Sequence, residues 1–180
     1  DSKTCELYMS SHDVSFTHLY NAMSDNNHRN PGVLSAALNN SKFAEIICDM
    51  NHVSEEAILI AKKCIPDLYA ITDSIAAPGM KDAVYTFANV EIEKKNNKVY
   101  LNGTNTLAGS VVNMHDTFLN LLKMKISIQD AVRMTSYSAS KFLKKEDIGI
   151  IDDGKIANFL ILDHDFNIKS IYLNGKLING

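Results

Sequence analysis

Three short apolar runs constrain the fold more than any other feature, because each one stops on a residue able to do chemistry. Val14-Ser15-Phe16 leads into Thr17-His18-Leu19-Tyr20-Asn21-Ala22-Met23. Glu45-Ile46-Ile47-Cys48 leads into Asp49-Met50-Asn51-His52, and Leu68-Tyr69-Ala70-Ile71 leads into Thr72-Asp73-Ser74. Runs this short and apolar read as buried strands. Parallel strands covered by crossover helices are buried on both faces, so their chemistry is confined to the strand ends. Helical segments lie between them. Pro31-Gly32 opens Val33-Leu34-Ser35-Ala36-Ala37-Leu38, which closes at Asn39-Asn40. Ser54 before Glu55-Glu56 makes an N-cap with an acidic first turn; Ala57, Ile58, Ile60, Ala61 and Cys64 follow at helical spacing, and Pro66 ends the helix. The order strand, helix, strand, helix, strand predicts a parallel sheet of the (β/α) barrel type with a metal-assisted site.

The pattern then changes. Alternation in Val90-Glu91-Ile92-Glu93 and Val99-Tyr100-Leu101 flanks Lys94-Lys95-Asn96-Asn97-Lys98, which predicts an inserted β-hairpin with a solvated lysine turn. Thr106-Leu107-Ala108-Gly109-Ser110 leads into a long amphipathic helix through Met114, Phe118, Leu121 and Leu122. A second helix starts at Ser127 and packs through Ala131, Val132, Met134, Ala139, Phe142 and Leu143. Beyond Lys144-Lys145-Glu146-Asp147, residues 148–151, 159–162, 168–173 and 176–178 read as short strands separated by Asp153-Gly154 and Asn174-Gly175 turns. Three or four such strands make a poor independent sheet, so they are expected to complete a β-domain formed with other segments.

Composition narrows the class. The 180 residues suffice for a packed core but fall short of the roughly 250 of a complete barrel. A net charge of -3 gives no electrostatic case for a nucleic-acid partner. No apolar run approaches the ~20 residues of a membrane span, and the first residues carry no signal-peptide core, so neither a membrane nor an export role is expected. The chain opens on Asp1 rather than Met, which suggests that it begins inside a longer protein. Cys5, Cys48 and Cys64 form no paired motif and read as reduced thiols, Cys48 and Cys64 buried, which suits the cytoplasm.

Four residues carry the candidate chemistry. His18 at a strand end suits a metal through its neutral imidazole, or else is a hydrogen-bonded rim histidine. Asp73 ends an apolar strand, where a buried carboxylate has to be paired, metal-bound or hydrogen-bonded. Beside a cation it can move a proton between water and a leaving amine; otherwise it caps a following helix. His52 follows a strand and can hydrogen-bond a substrate carbonyl or hydroxyl, or stand exposed in a loop. Arg29, just before a helix, offers a guanidinium beside a helix N-terminus for an anion, or is a surface arginine. His12, His115 and His164 read as surface or structural, with His28 a candidate for a polar rim.

The strings Thr17-His18-Leu19-Tyr20-Asn21-Ala22-Met23, Arg29-x-Pro31-Gly32, Asp49-x-x-His52-Val53, Thr72-Asp73, Leu107-Ala108-Gly109-Ser110 and Gly154-Lys155-Ile156-Ala157-Asn158 occur in one order across nearly the whole chain. In this the chain resembles the N-acetylglucosamine-6-phosphate deacetylase family of the amidohydrolase superfamily. The resemblance implies metal-dependent hydrolysis of the N-acetyl group of a sugar phosphate, with Zn or Fe as the divalent metal. It implies His18 as a metal ligand and Asp73 as the catalytic acid and base. Asn21 and Ala22 would contact the sugar phosphate, and Arg29 its phosphate. His52 would bind substrate, with one or both of Arg29 and His52 reaching across a dimer interface. Leu107, Ala108 and Gly109 would line the pocket. The implied enzyme is cytoplasmic and homodimeric. Its implied fold is α/β, with residues 1–146 the C-terminal half of a (β/α)8 barrel carrying the hairpin, and residues 147–180 the terminal strands of a small β-sandwich domain.

Two departures stand out. Met50 occupies a position where the family commonly has Gly, and the family's further metal ligands, a Glu and a His in a Gly-His string, would fall before Asp1. Another amidohydrolase acting on cyclic amides, or a catalytically silent chain lacking part of the metal site, are the alternative expectations.

Overall fold

The apolar runs form the predicted parallel sheet. Its strands are β1 (Ser15–Phe16), β2 (Phe43–Ile47) and β3 (Asp67–Ile71), paired in the order β1-β2-β3. The computed structural model describes residues 1–75 and 79–179. Helix α1 (Ser2–Ser11), capped by the Asp1 carboxylate on the Thr4 N–H, precedes β1 and lies against α2 (Val33–Asn40). Helix α3 (Glu55–Cys64) connects β2 to β3 and is capped by Ser54 as the sequence predicts. The connections β1–α2–β2–α3–β3 therefore give an α/β unit with crossover helices. Ala44 and Ile46 of β2, Cys48 just beyond it, and Leu68 and Ala70 of β3 lie in one core with Leu19, Ala37, Ile58, Ala61 and Ile65. Ile60 lies outside it, half exposed, so α3 buries a narrower stripe than its apolar spacing suggests.

The opposite sheet face is mixed, with Phe43 and Ile47 buried beside polar groups. Glu45 and Tyr69 are register partners; the Tyr69 hydroxyl donates to Glu45 Oε1 at 3.1 Å and lies 3.0 Å from Ser15 Oγ. Burial pushes the Tyr69 phenol up to about 12, so it stays a hydrogen-bond donor at neutral pH.

The expected hairpin is a three-stranded antiparallel meander, β4 (Ala83–Phe87), β5 (Val90–Lys95) and β6 (Lys98–Leu101). Its β5–β6 turn is only Asn96-Asn97, both left-handed, as a two-residue hairpin turn requires. The lysines belong to the strands instead. Lys94 is buried and pairs with Asp82 Oδ1 at 3.1 Å, which corrects the solvated-turn expectation for that residue.

Helix α4 (Met114–Lys123) buries Phe118 and Leu121, while Met114 stays partly exposed at its start. The second expected helix is α5 (Ile128–Val132) and α6 (Ser138–Phe142) joined by a π-helical turn over Arg133–Tyr137. Ala131 and Met134 reach the core, but Val132 and Leu143 are exposed. The extra residue of a π turn rotates the face presented beyond it, which periodicity cannot register. Residues 148–151 form no strand, and Ile151 is well exposed. The remaining tail is the antiparallel meander β7 (Phe159–Leu162), β8 (Ile168–Leu173) and β9 (Lys176–Asn179), turned at Asn174-Gly175. It leans on the core through Phe166, whose ring meets Phe118 and whose carbonyl lies 2.7 Å from His115 Nε2. His115 is thus structural.

Candidate active site

The three parallel strands end alike. Each is followed within three residues by a non-glycine residue in the left-handed region: His18 at φ 36°, Met50 at φ 64° and Asp73 at φ 47°. Such residues stop a strand and re-aim the chain, at a cost of about 1–3 kcal/mol each. Because β1, β2 and β3 are parallel and adjacent, His18, His52 and Asp73 come to the same end of one sheet.

Around His18 the sequence alternates between packing and presentation. The Leu19 N–H extends the pairing of β1 by donating to Glu45 O at 2.8 Å, and Leu19 is fully buried. Tyr20 donates its hydroxyl to Ala57 O on α3, at 2.8 Å. The Asn21 amide donates to His18 O and Leu19 O, closing the turn, while Ala22 is exposed at φ 55°. His18 itself is half buried, and its Nδ1 is buried with no hydrogen-bond partner among the described residues. A buried ring nitrogen without a partner is costly, and where its lone pair is free a bound cation is one way to satisfy it.

His52 stands at the end of β2, in contact with Asp49. Its Nδ1 lies 2.7 Å from Asp49 Oδ2, and both side chains are 7% exposed. Asp49 Oδ1 accepts the backbone N–H of Asn51 and of His52, each at 2.9 Å. Burial alone would raise the Asp49 carboxyl. The His52 imidazole and those two backbone N–H groups outweigh it and hold the carboxyl below the usual aspartate range. His52 Nε2, on the far side of the ring, is buried and has no partner among the described residues. Met50 meets the left-handed geometry that glycine takes freely, so the turn forms without glycine.

Asp73 departs from expectation. It is exposed, not buried, and its carboxylate has no hydrogen bond or ion pair among the described residues. It caps no helix, because Ser74 pairs with Ser110 in a parallel bridge. Its backbone is held instead: the Ser110 N–H donates to Asp73 O at 2.9 Å and the Ser110 hydroxyl donates to Thr72 O. Gly109, at φ 75°, permits that approach, since a Cβ there would stand 2.9 Å from both Asp73 O and an Ile75 side-chain carbon. Leu107 bridges Tyr100, and the Ala108 N–H donates to Val99 O, so residues 107–110 tie the meander to the Asp73 loop.

Arg29 lies on the exposed segment just before α2. The first N–H of α2, that of Val33, is already taken by Ser24 Oγ at 2.8 Å. Arg29 sits on an exposed turn built on Asn27 Oδ1, with its Nε donating to His28 Nε2. Of the thiols, Cys48 is buried, which pushes it up to about 12, Cys5 is partly exposed, and Cys64 is exposed rather than buried.

Among the described residues no group of three histidine, cysteine, aspartate or glutamate side chains stands together. A catalytic zinc site takes three protein ligands and an open position. His18 suits one ligand of a metal, but the described residues do not by themselves make a metal centre. Sequence reasoning passed over Asp49 as a functional residue, although its signal was present: Asp followed three residues later by His, directly after a strand, is an Asx-turn pattern that brings the carboxylate back onto the histidine. No helix among the described residues is long and apolar enough to cross a membrane.

The amidohydrolase family profile matches residues 13–178. An N-acetylglucosamine-6-phosphate deacetylase of Vibrio furnissii is 32% identical over 89% of the chain and 41% of its own length. One from Caenorhabditis elegans is 33% identical over 90% of the chain and 41% of its own. The crystal structure of N-acetylglucosamine-6-phosphate deacetylase from Pasteurella multocida superposes with a TM-score of 0.92 at 29% identity, covering 99% of the chain and 48% of that structure. The chain thus spans about two fifths of these curated relatives and about half of that structure. A profile match over nearly its whole length places the chain in the amidohydrolase family.

Proposed function

We propose that this chain carries the substrate-binding and acid–base part of a deacetylase that hydrolyses the N-acetyl group of N-acetylglucosamine 6-phosphate to glucosamine 6-phosphate and acetate. The observation that supports it most is the gathering of His18, His52 and Asp73 at one end of a parallel sheet, the first two with buried nitrogens that have no partner among the described residues. In this reading residues 1–146 are the C-terminal half of a (β/α)8 barrel and residues 147–180 are strands of a small β-sandwich domain. The protein acts as a homodimer in the cytoplasm, where a phosphorylated sugar is available.

Asp73 takes the proton of the attacking water and returns it to the departing amine nitrogen; its exposed, unpaired carboxylate on a fixed backbone suits both transfers. Arg29 binds the phosphate, assisted by Asn21 and the backbone at Ala22, and His52 fixes the sugar. Leu107, Ala108 and Gly109 shape the wall beside Asp73. A divalent Zn or Fe ion, when bound, polarises the amide carbonyl and lowers the pKa of water; His18 is the donor this chain contributes to it.

The test is acetate release from N-acetylglucosamine 6-phosphate and from the unphosphorylated sugar, with Arg29→Ala alongside. Release that requires the phosphate, and that Arg29→Ala weakens through KM, supports the reading. Hydrolysis of a cyclic amide with no release from the phosphosugar would replace it with another amidohydrolase activity.

A further inference from the structure

We infer that Asp49 is a positioning residue that fixes the tautomer and orientation of His52, so that Nε2 is the atom offered to the ligand. This deepens the proposed function and its ligand-binding arm rests on that reading. The geometry is one-sided. His52 Nδ1 lies 2.7 Å from Asp49 Oδ2, while Nε2 is buried with no partner among the described residues. An ionised carboxylate only accepts hydrogen bonds, so Nδ1 carries the proton and Nε2 of the neutral ring keeps its lone pair. The ring is held as well as protonated in one sense. Asp49 Oδ1 is pinned by the Asn51 and His52 backbone N–H groups, which leaves Oδ2 aimed at the imidazole. The histidine and its orienting carboxylate sit on one strand-end turn three residues apart, so their relation does not depend on distant packing.

The same geometry makes Asp49→Asn a clean probe. Two backbone N–H groups face Oδ1, so the amide oxygen of the variant stays there and its NH2 turns to His52 Nδ1. A donor in that place forces Nδ1 to give up its proton, and the proton moves to Nε2. The fold and the turn are kept, and only the ring's hydrogen-bonding sense is reversed.

The experiment is 15N-histidine NMR of the natural polypeptide that carries this chain, above the pH where the imidazole is neutral. In wild type the His52 Nδ1 should show the shift of a protonated nitrogen and Nε2 that of a bare one. In Asp49→Asn the two should exchange, with unchanged amide shifts elsewhere. Asp49→Ala, which removes the carboxylate without supplying a donor, should leave a mixture of tautomers. Kinetics on N-acetylglucosamine 6-phosphate should show KM raised about tenfold in Asp49→Asn with kcat nearly unchanged, the pattern of lost positioning of a binding group. A wild-type His52 protonated on Nε2, a tautomer unmoved by Asp49→Asn, or an exchanged tautomer with unchanged KM would each overturn the inference. Should wild type not act on the phosphosugar at all, the proposed function fails, and the tautomer measurement still decides the role of Asp49.

Discussion

The strand-end loops and the antiparallel meanders use the same backbone conformation for different ends. In the meanders, left-handed residues come in pairs at two-residue turns: Ala88-Asn89, Asn96-Asn97 and Asn174-Gly175. There the conformation is set locally and only reverses the chain. At the parallel strand ends it falls on His18, Met50 and Asp73, single residues rather than a paired turn. The turns at His18 and Asp73 are held by distant partners, Glu45 O on the Leu19 N–H and Ser110 on Thr72 and Asp73. Polar groups differ in the same way. The meander's buried Lys94 is paired with Asp82, whereas buried nitrogens of His18 and His52 are not paired by any described residue. The meander's buried ammonium is used internally, whereas the two strand-end ring nitrogens are left unused by the described residues, as the proposed ligand site requires.

Breaking the strand-end side gives the largest effects. Asp73→Asn should lower acetate release by about 10³-fold with the melting temperature unchanged, since it removes a proton acceptor that supports no contact; a variant that melts early would show a structural role instead. Gly109→Ala should cost about 2 kcal/mol, because its Cβ meets the Asp73 carbonyl and Ile75 and its φ disfavours a side chain. Denaturant unfolding measures this, and acetate release should fall with it. On the meander side, Lys94→Met should lower the melting temperature less than Gly109→Ala does and leave activity alone. Met50→Gly sharpens the comparison from the other direction: it should stabilise the fold by about 0.5–1 kcal/mol, as left-handed strain outweighs the added unfolded-state entropy. The smallest effect concerns pH. Asp49 is held below its ordinary value of 3.8, so its contribution to stability is full above that value and is lost as pH falls through the lower folded one. Asp49→Asn should remove that acid-side slope from the stability curve.

Much of this was legible in the sequence. The apolar runs gave β1, β2 and β3 and their parallel order, Ser54 and Pro66 bounded α3, and Asn174-Gly175 marked a turn, since each of these rests on local chemistry. What was not legible depends on partners far along the chain. The exposure of Asp73 follows from where the Ser110 segment crosses it. The burial of Lys94 goes with its pairing to Asp82 across the meander, and the exposure of Leu143 follows a π turn whose extra residue breaks the helical period. The cap of α2 is likewise non-local: Ser24, nine residues before Val33, folds back to accept its N–H.

The central claim is that chemistry resides at the parallel strand ends and stability alone in the meander. The direct measurement is acetate release from N-acetylglucosamine 6-phosphate by Asp73→Asn and Lys94→Met side by side, in the natural polypeptide that carries this chain. The account predicts that the first is folded and inactive and the second is less stable and fully active. An active Asp73→Asn, or a folded Lys94→Met without activity, would contradict it.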